Sequence, residues 1–137
     1  MAIKKYFATK DNTITTAFRS NLTSRGTDAN MGASDILEVF SIYGQAAASS
    51  GELARTIISF STNEILTDRN AGNIPASGSV SFFLNLYNAP HTQTVPRGMQ
   101  LQIAPLTTPW QEGFGLDMDE YKDTVDPGDE GSTWFWQ

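Results

Sequence analysis

The sequence predicts an all-β domain, a jelly-roll β-sandwich with long loops, and three observations carry that expectation. Ser, Thr and Asn make 35 of the 137 residues, a composition that suits strands and polar turns better than helices. Several segments alternate apolar and polar side chains with a period of two, the signature of half-buried strands. The apolar fraction is 39%, with 11% aromatic and no cysteine, enough for one core in a chain of this length without disulfide support.

Residues 1–12 read as an N-terminal arm and residues 13–137 as one sandwich domain. Thr13-Ile14-Thr15-Thr16-Ala17-Phe18 opens the sheet with β-branched residues. Ser20 to Ser34 is loop, and Ile36 to Tyr43 is the next strand. There Leu37, Val39 and Tyr43 share one face, while Ile36, Phe40 and Ile42 lie with Glu38 on the other. Gly44 to Gly51 is a small-residue tip, followed by a strand over Leu53 to Phe60. Thr62 to Ala71 is the one helical candidate, with Thr62 placed to cap it. Gly72, Pro75 and Gly78 then break the chain.

The cleanest alternation is Ser79 to Tyr87, where Val80, Phe82, Leu84 and Leu86 are expected inside and Ser79, Ser81 and Asn85 outside. Burying each such side chain is worth roughly 1.5–3 kcal/mol, so a slip by one residue is heavily penalised. Met99, Leu101 and Ile103 repeat the alternation against Gln100 and Gln102. Thr133-Trp134-Phe135-Trp136 is strand-like and nearly all aromatic, one residue before Gln137. Such an edge is sticky. Either its rings close the core or the natural chain continues past Gln137, and the second is the expectation.

Composition also excludes functions. The net charge of −6 and pI of about 4.5 oppose electrostatic nucleic-acid binding. Zero Cys excludes thiolate zinc sites and cysteine catalysis, and a single histidine, His91, excludes multi-His metal sites within one chain. The start, Met1-Ala2-Ile3-Lys4-Lys5, lacks the apolar run of a signal peptide, and no stretch approaches the ~18–20 apolar residues of a spanning helix. A chain made in a cytoplasm, without membrane insertion, is expected.

Charge is concentrated near the end. Residues 112–130 hold eight acids and Lys122 as the sole base, whereas the rest of the chain holds seven acids and eight bases. Close carboxylates repel by about 1 kcal/mol per pair in water and more when desolvated. Two readings follow: a solvated acidic loop that meets Arg or Lys on a partner, or a calcium site with oxygen ligands from Asp117, Asp119, Asp123 and Asp126. The EF-hand arrangement itself fails, because Tyr121 stands at the third ligand position and no Gly at the sixth.

Catalysis is not expected. A Ser-His-Asp triad would need His91, which lies in the turn-like Asn88-Ala89-Pro90-His91-Thr92, and no G-x-S-x-G elbow, P-loop or dinucleotide fingerprint occurs. Carboxylate pairs for glycoside hydrolysis are present only in the acidic loop, not on strands. Trp110, Phe114, Tyr121, Trp134, Phe135 and Trp136 cluster beside those acids. They read as core, as an inter-subunit surface, or as sugar-stacking faces; Trp110, Tyr121, Trp134, Phe135 and Trp136 are the candidate contact residues.

A set of short motifs adds a resemblance. Asn30-Met31-Gly32-Ala33-Ser34 precedes the strand Ile36-Leu37-Glu38-Val39; Arg55-Thr56-Ile57-Ile58-Ser59-Phe60 follows, then Ile74-Pro75-Ala76 before Val80 to Tyr87, then Trp110-Gln111-Glu112-Gly113 and Gly131-Ser132-Thr133-Trp134. In this order they resemble the DNRLRE-type jelly-roll domain, a relative of some carbohydrate-binding modules, over about Thr13 to Trp136. The chain departs from that family in having Ser61-Thr62 after Phe60 where Asp-Leu is frequent, and a longer acidic insertion from Leu116 to Glu130. The resemblance implies a further strand after the Thr-Trp element.

The polar style and the run Leu37 to Gln45 also resemble virion structural proteins of marine tailed phages, cyanophages especially. That implies a non-enzymatic subunit of the tail, baseplate, neck or capsid surface, located in the virion. It would form homo-oligomers and contact other virion proteins. The alternative is a module that recognises host surface glycans, with or without calcium.

Overall fold

A computed structural model describes residues 3–92, 97–116 and 119–135. Its regular structure is mainly strand, with one short helix. Strand β1 is Ala8–Thr15, β2 is Phe40–Tyr43 and β3 is Gly51–Phe60. They form one antiparallel sheet in the order β1-β3-β2, with Thr13 opposite Thr56 and Ile42 opposite Glu52. The sheet begins at Ala8, inside the stretch that the sequence assigns to an arm, because β3 extends to Phe60 and offers Ala8 a partner. Tyr43 and Gly51 close the β2–β3 hairpin over the small-residue tip, where Gly44 N donates to Ser50 O at 2.8 Å.

Helix α1 is Thr62–Asn70, capped by Ser61 rather than Thr62: the Ser61 hydroxyl accepts from Glu64 N at 3.2 Å. Ser61 and Glu64 have the spacing of a capping box, which outcompetes a start one residue later. The helix buries no residue. It serves instead as an anchor for the chain start, since Lys4 and Tyr6 both bind Asp68 on its last turn. Hydrogen bonds from Asn73 first, then from Lys4 and Tyr6, hold the Asp68 carboxyl down at about 2.

The interior is small and largely polar. Ala17, Ala29, Met31 and Tyr121 form the apolar cluster, with Phe40 against it. Around them Asn12, Thr13, Thr15, Asn30, Glu52, Ser132 and Thr133 are buried. Tyr121 takes the left-handed backbone conformation at φ 53°. That costs roughly 1–2 kcal/mol for a non-glycine, which burial of its ring, at roughly 1.5–3 kcal/mol, offsets.

The larger correction concerns the two alternating segments. Neither Ser79–Tyr87 nor Met99–Ile103 is a strand, and Phe82, Leu84, Leu86, Met99, Leu101 and Ile103 are exposed rather than inside. Thr133, Trp134 and Phe135 do not form a strand either. Alternation shows that a segment can serve as a strand; a ladder needs a neighbour, and the sheet ends at β1 and β2 without recruiting either segment. A second, facing sheet is therefore not found among the described residues.

Candidate functional site

The short motifs converge on one buried amide. The Asn30 side chain donates to the carbonyls of Glu112 (2.8 Å) and Ser132 (3.0 Å), and its oxygen accepts from Gly32 N (3.1 Å) and Gly115 N (3.0 Å). That uses the full capacity of a carboxamide. Asn12 doubles the arrangement from β1, donating to Ser132 O at 2.8 Å and accepting from Met31 N at 3.0 Å. Gln111 and Ser132 exchange two further bonds. Two glycines make the approach possible: a Cβ on Gly32 would lie 1.9 Å from Glu112 O, and one on Gly115 would lie 1.8 Å from Asn30 O. This knot ties residues 30, 112 and 132, and so folds the acidic loop back onto β1.

The outer edge of β1 is closed by the same device. Glu112 Oε1 accepts from Asp11 N at 2.7 Å. Partial burial, and then the Glu112 charge, push the Asp11 carboxyl above its ordinary value.

Strand β2 is different, because its second edge has no strand beside it. Next to it opens a cavity of about 560 Å³, whose walls include Phe18, Phe40, Ile42, Glu38, Glu52 and Asp119. Glu52 is 1% exposed, and its carboxylate is occupied by Phe18 N at 2.8 Å. Glu38 is half-buried, and no cation pairs with its carboxylate among the described residues. Burial, followed by the nearby Asp119 charge, raises its carboxyl above the ordinary value. Phe40 and Ile42 share one face of β2, and Glu38, two residues before the strand, lines the same cavity. The chemistry on offer is an apolar strip flanked by the Glu38 carboxylate, with Arg19, paired to Asp28, in the same wall.

The structure scatters the residues that the sequence singled out. Tyr121 is in the core. Trp134 is half-buried under the Arg55 guanidinium, 4.7 Å from its ring, and its N–H donates to Thr27 O at 3.1 Å. Trp110 is half-buried and Phe135 exposed. Asp119 lines the cavity. The Asp123 carboxylate accepts from Leu116 N at 2.7 Å and its carbonyl from Asn30 N at 2.9 Å. Asp126 is exposed in a turn. Asp117 and Trp136 lie outside the described residues. Among those described, no three Asp, Glu or His side chains gather as a metal site. His91 is exposed, with Asn88 at 3.0 Å.

No family model, curated protein or solved structure matches this chain.

Chemistry and geometry therefore carry the functional argument. Among the described residues no helix is long and apolar enough to cross a membrane. What stands out is the stretch from Ser79 to Leu106. Phe83 is 83%, Tyr87 92% and Ile103 74% exposed, and none of its described residues belongs to a helix or strand. Sequence reading passed over Glu38 and the Asn12–Asn30 pair. A carboxylate on an otherwise apolar strand face was the available signal for Glu38. For the asparagines only the order of the motifs pointed to a common place.

Proposed function

We propose that this chain is a non-enzymatic structural subunit that works by packing against copies of itself and neighbouring proteins in a phage particle, at the tail, baseplate, neck or capsid surface. The observation that carries the packing role is that the apolar, alternating segments Ser79–Tyr87 and Met99–Ile103 join no strand and leave their large side chains exposed. Exposed large apolar side chains outside a packed core favour association. Repeated use of one subunit, as a particle requires, makes self-contact the economical solution. The phage setting and the completed jelly roll rest on the resemblance of the motifs, with the second sheet assembled when the alternating segments find partners.

The glycan-binding alternative draws on the same aromatic residues. Their placement does not favour it, since Tyr121 is buried and Arg55 already occupies the Trp134 face. The test is direct. Intact-mass and peptide analysis of purified particles should find the chain, and purified chain should bind particles that lack it. Absence from particles, or a tryptophan-fluorescence response to host polysaccharide with no self-association, would overturn the proposal.

A further inference from the structure

The single histidine of the chain lies against an asparagine. His91 Nε2 and Asn88 Nδ2 are 3.0 Å apart, and both residues are exposed and outside any helix or strand. An asparagine on irregular backbone is chemically labile, because the next residue's amide nitrogen can attack its side-chain carbonyl carbon and close a succinimide ring. Two conditions favour that attack: a small side chain on the following residue, and an attacking N–H that is not held in a hydrogen bond. Of the eight asparagines only Asn70 and Asn88 precede alanine; the others precede Thr, Leu, Met, Glu or Ile. Asn70 fails the second condition, since it ends helix α1 and Ala71 N donates to Thr67 O at 3.0 Å. Asn12 and Asn30 are buried and held by the knot described above. Asn88 combines the small neighbour, the irregular backbone and an imidazole on its amide nitrogen.

We propose that Asn88 is a self-modification site that deamidates through a succinimide, with His91 as the general acid. Ala89 N bonds to Asn88 Cγ and gives up its proton to solvent. The Cγ–Nδ2 bond then breaks, and the leaving nitrogen takes a proton from Nε2 of the His91 imidazolium and departs as ammonia. Water opens the ring at either carbonyl, leaving aspartate or isoaspartate at position 88, and solvent returns the proton to His91. An amide nitrogen leaves poorly until it is protonated, so a proton donor placed on Nδ2 acts at the step that needs it. The ring can hold that contact in both states: neutral, Nε2 accepts from Nδ2; protonated, it donates to the nitrogen as its lone pair becomes available. The product is the sole acid in residues 70–111, and it stands between the exposed segments Ser79–Tyr87 and Met99–Ile103. The reaction occurs once per chain and does not depend on the packing role.

The test is to age the purified chain at neutral pH and follow each asparagine by peptide mass spectrometry with isoaspartate-sensitive fragmentation. Asn88 should deamidate faster than every other asparagine, with Asn70 as the Asn-Ala reference in the same molecule. His91→Gln keeps a side-chain donor but cannot transfer a proton; it should slow Asn88 by about tenfold and leave Asn70 unchanged. Added imidazole should accelerate Asn88 in His91→Ala more than in the wild-type chain. If Asn88 is no faster than Asn70, or if His91→Gln leaves its rate unchanged, the proposal is overturned. A slowing in both His91 variants that imidazole does not relieve would make the histidine a structural contact and overturn its role as acid.

Discussion

Around Asn30 the chain is polar, buried and fully bonded; residues 80–87 and 99–106 carry many exposed apolar side chains and lie outside any helix or strand. The first region gains its order from geometry. An amide with four partners inside a low-dielectric interior holds three distant segments at one point. The second has more burial energy available but no neighbour to realise it. In this molecule hydrogen-bond satisfaction decides what is fixed inside one chain, while many large apolar side chains stay exposed.

Breaking the first region should have the largest effect. Asn30→Leu orphans the Glu112 carbonyl and the Gly32 and Gly115 N–H groups, Ser132 O keeping its bond from Asn12, and should destabilise by about 3–5 kcal/mol in urea unfolding. Gly32→Ala drives a methyl into Glu112 O and should cost about 3 kcal/mol, through overpacking against backbone that cannot yield. The second region predicts the opposite. Leu84→Asp together with Leu101→Asp should change monomer stability by no more than about 0.5 kcal/mol, yet should abolish self-association in light scattering. A large loss of monomer stability would show that these side chains are core after all.

Smaller effects sharpen the contrast through pH. The raised Glu38 carboxyl means that folding disfavours its charged form, a cost present above the folded value and gone below the ordinary 4.5. Glu38→Gln should therefore raise the monomer Tm by about 1–2 °C at pH 7, modest because the group is half in water, and the gain should vanish below pH 4.5. Asp68 has the reverse sign. Its lowered carboxyl supplies stability that is complete above the ordinary 3.8 and lost as pH falls through about 2. Asp68→Asn should thus loosen the chain start at neutral pH, seen as faster amide exchange at residues 3–7, with little change in global stability.

Much of the local structure was legible. β3 and the helix begin within two residues of the expected places, because β-branched alternation and a Ser-x-x-Glu cap act over a few neighbours. β2 is shorter than Ile36 to Tyr43: Glu38 N bonds the Thr13 hydroxyl instead of a strand partner. The Asn30 and Trp-x-Glu-Gly motifs were visible as words, but that their carbonyls and amides meet was not. Residues 30, 112 and 132 are joined only by the folded chain.

Residue order by itself determined a β-rich, hydroxyl-rich chain, the acidic loop, the lack of thiols, and which segments are competent to be strands, since periodicity, charge and composition are local properties. Tertiary structure alone decided which of those segments became strands, that the interior would be built on amides, and that Glu38 would line a cavity beside β2. A strand exists only beside another strand, and a buried polar group only beside its partners; both are relations between distant residues.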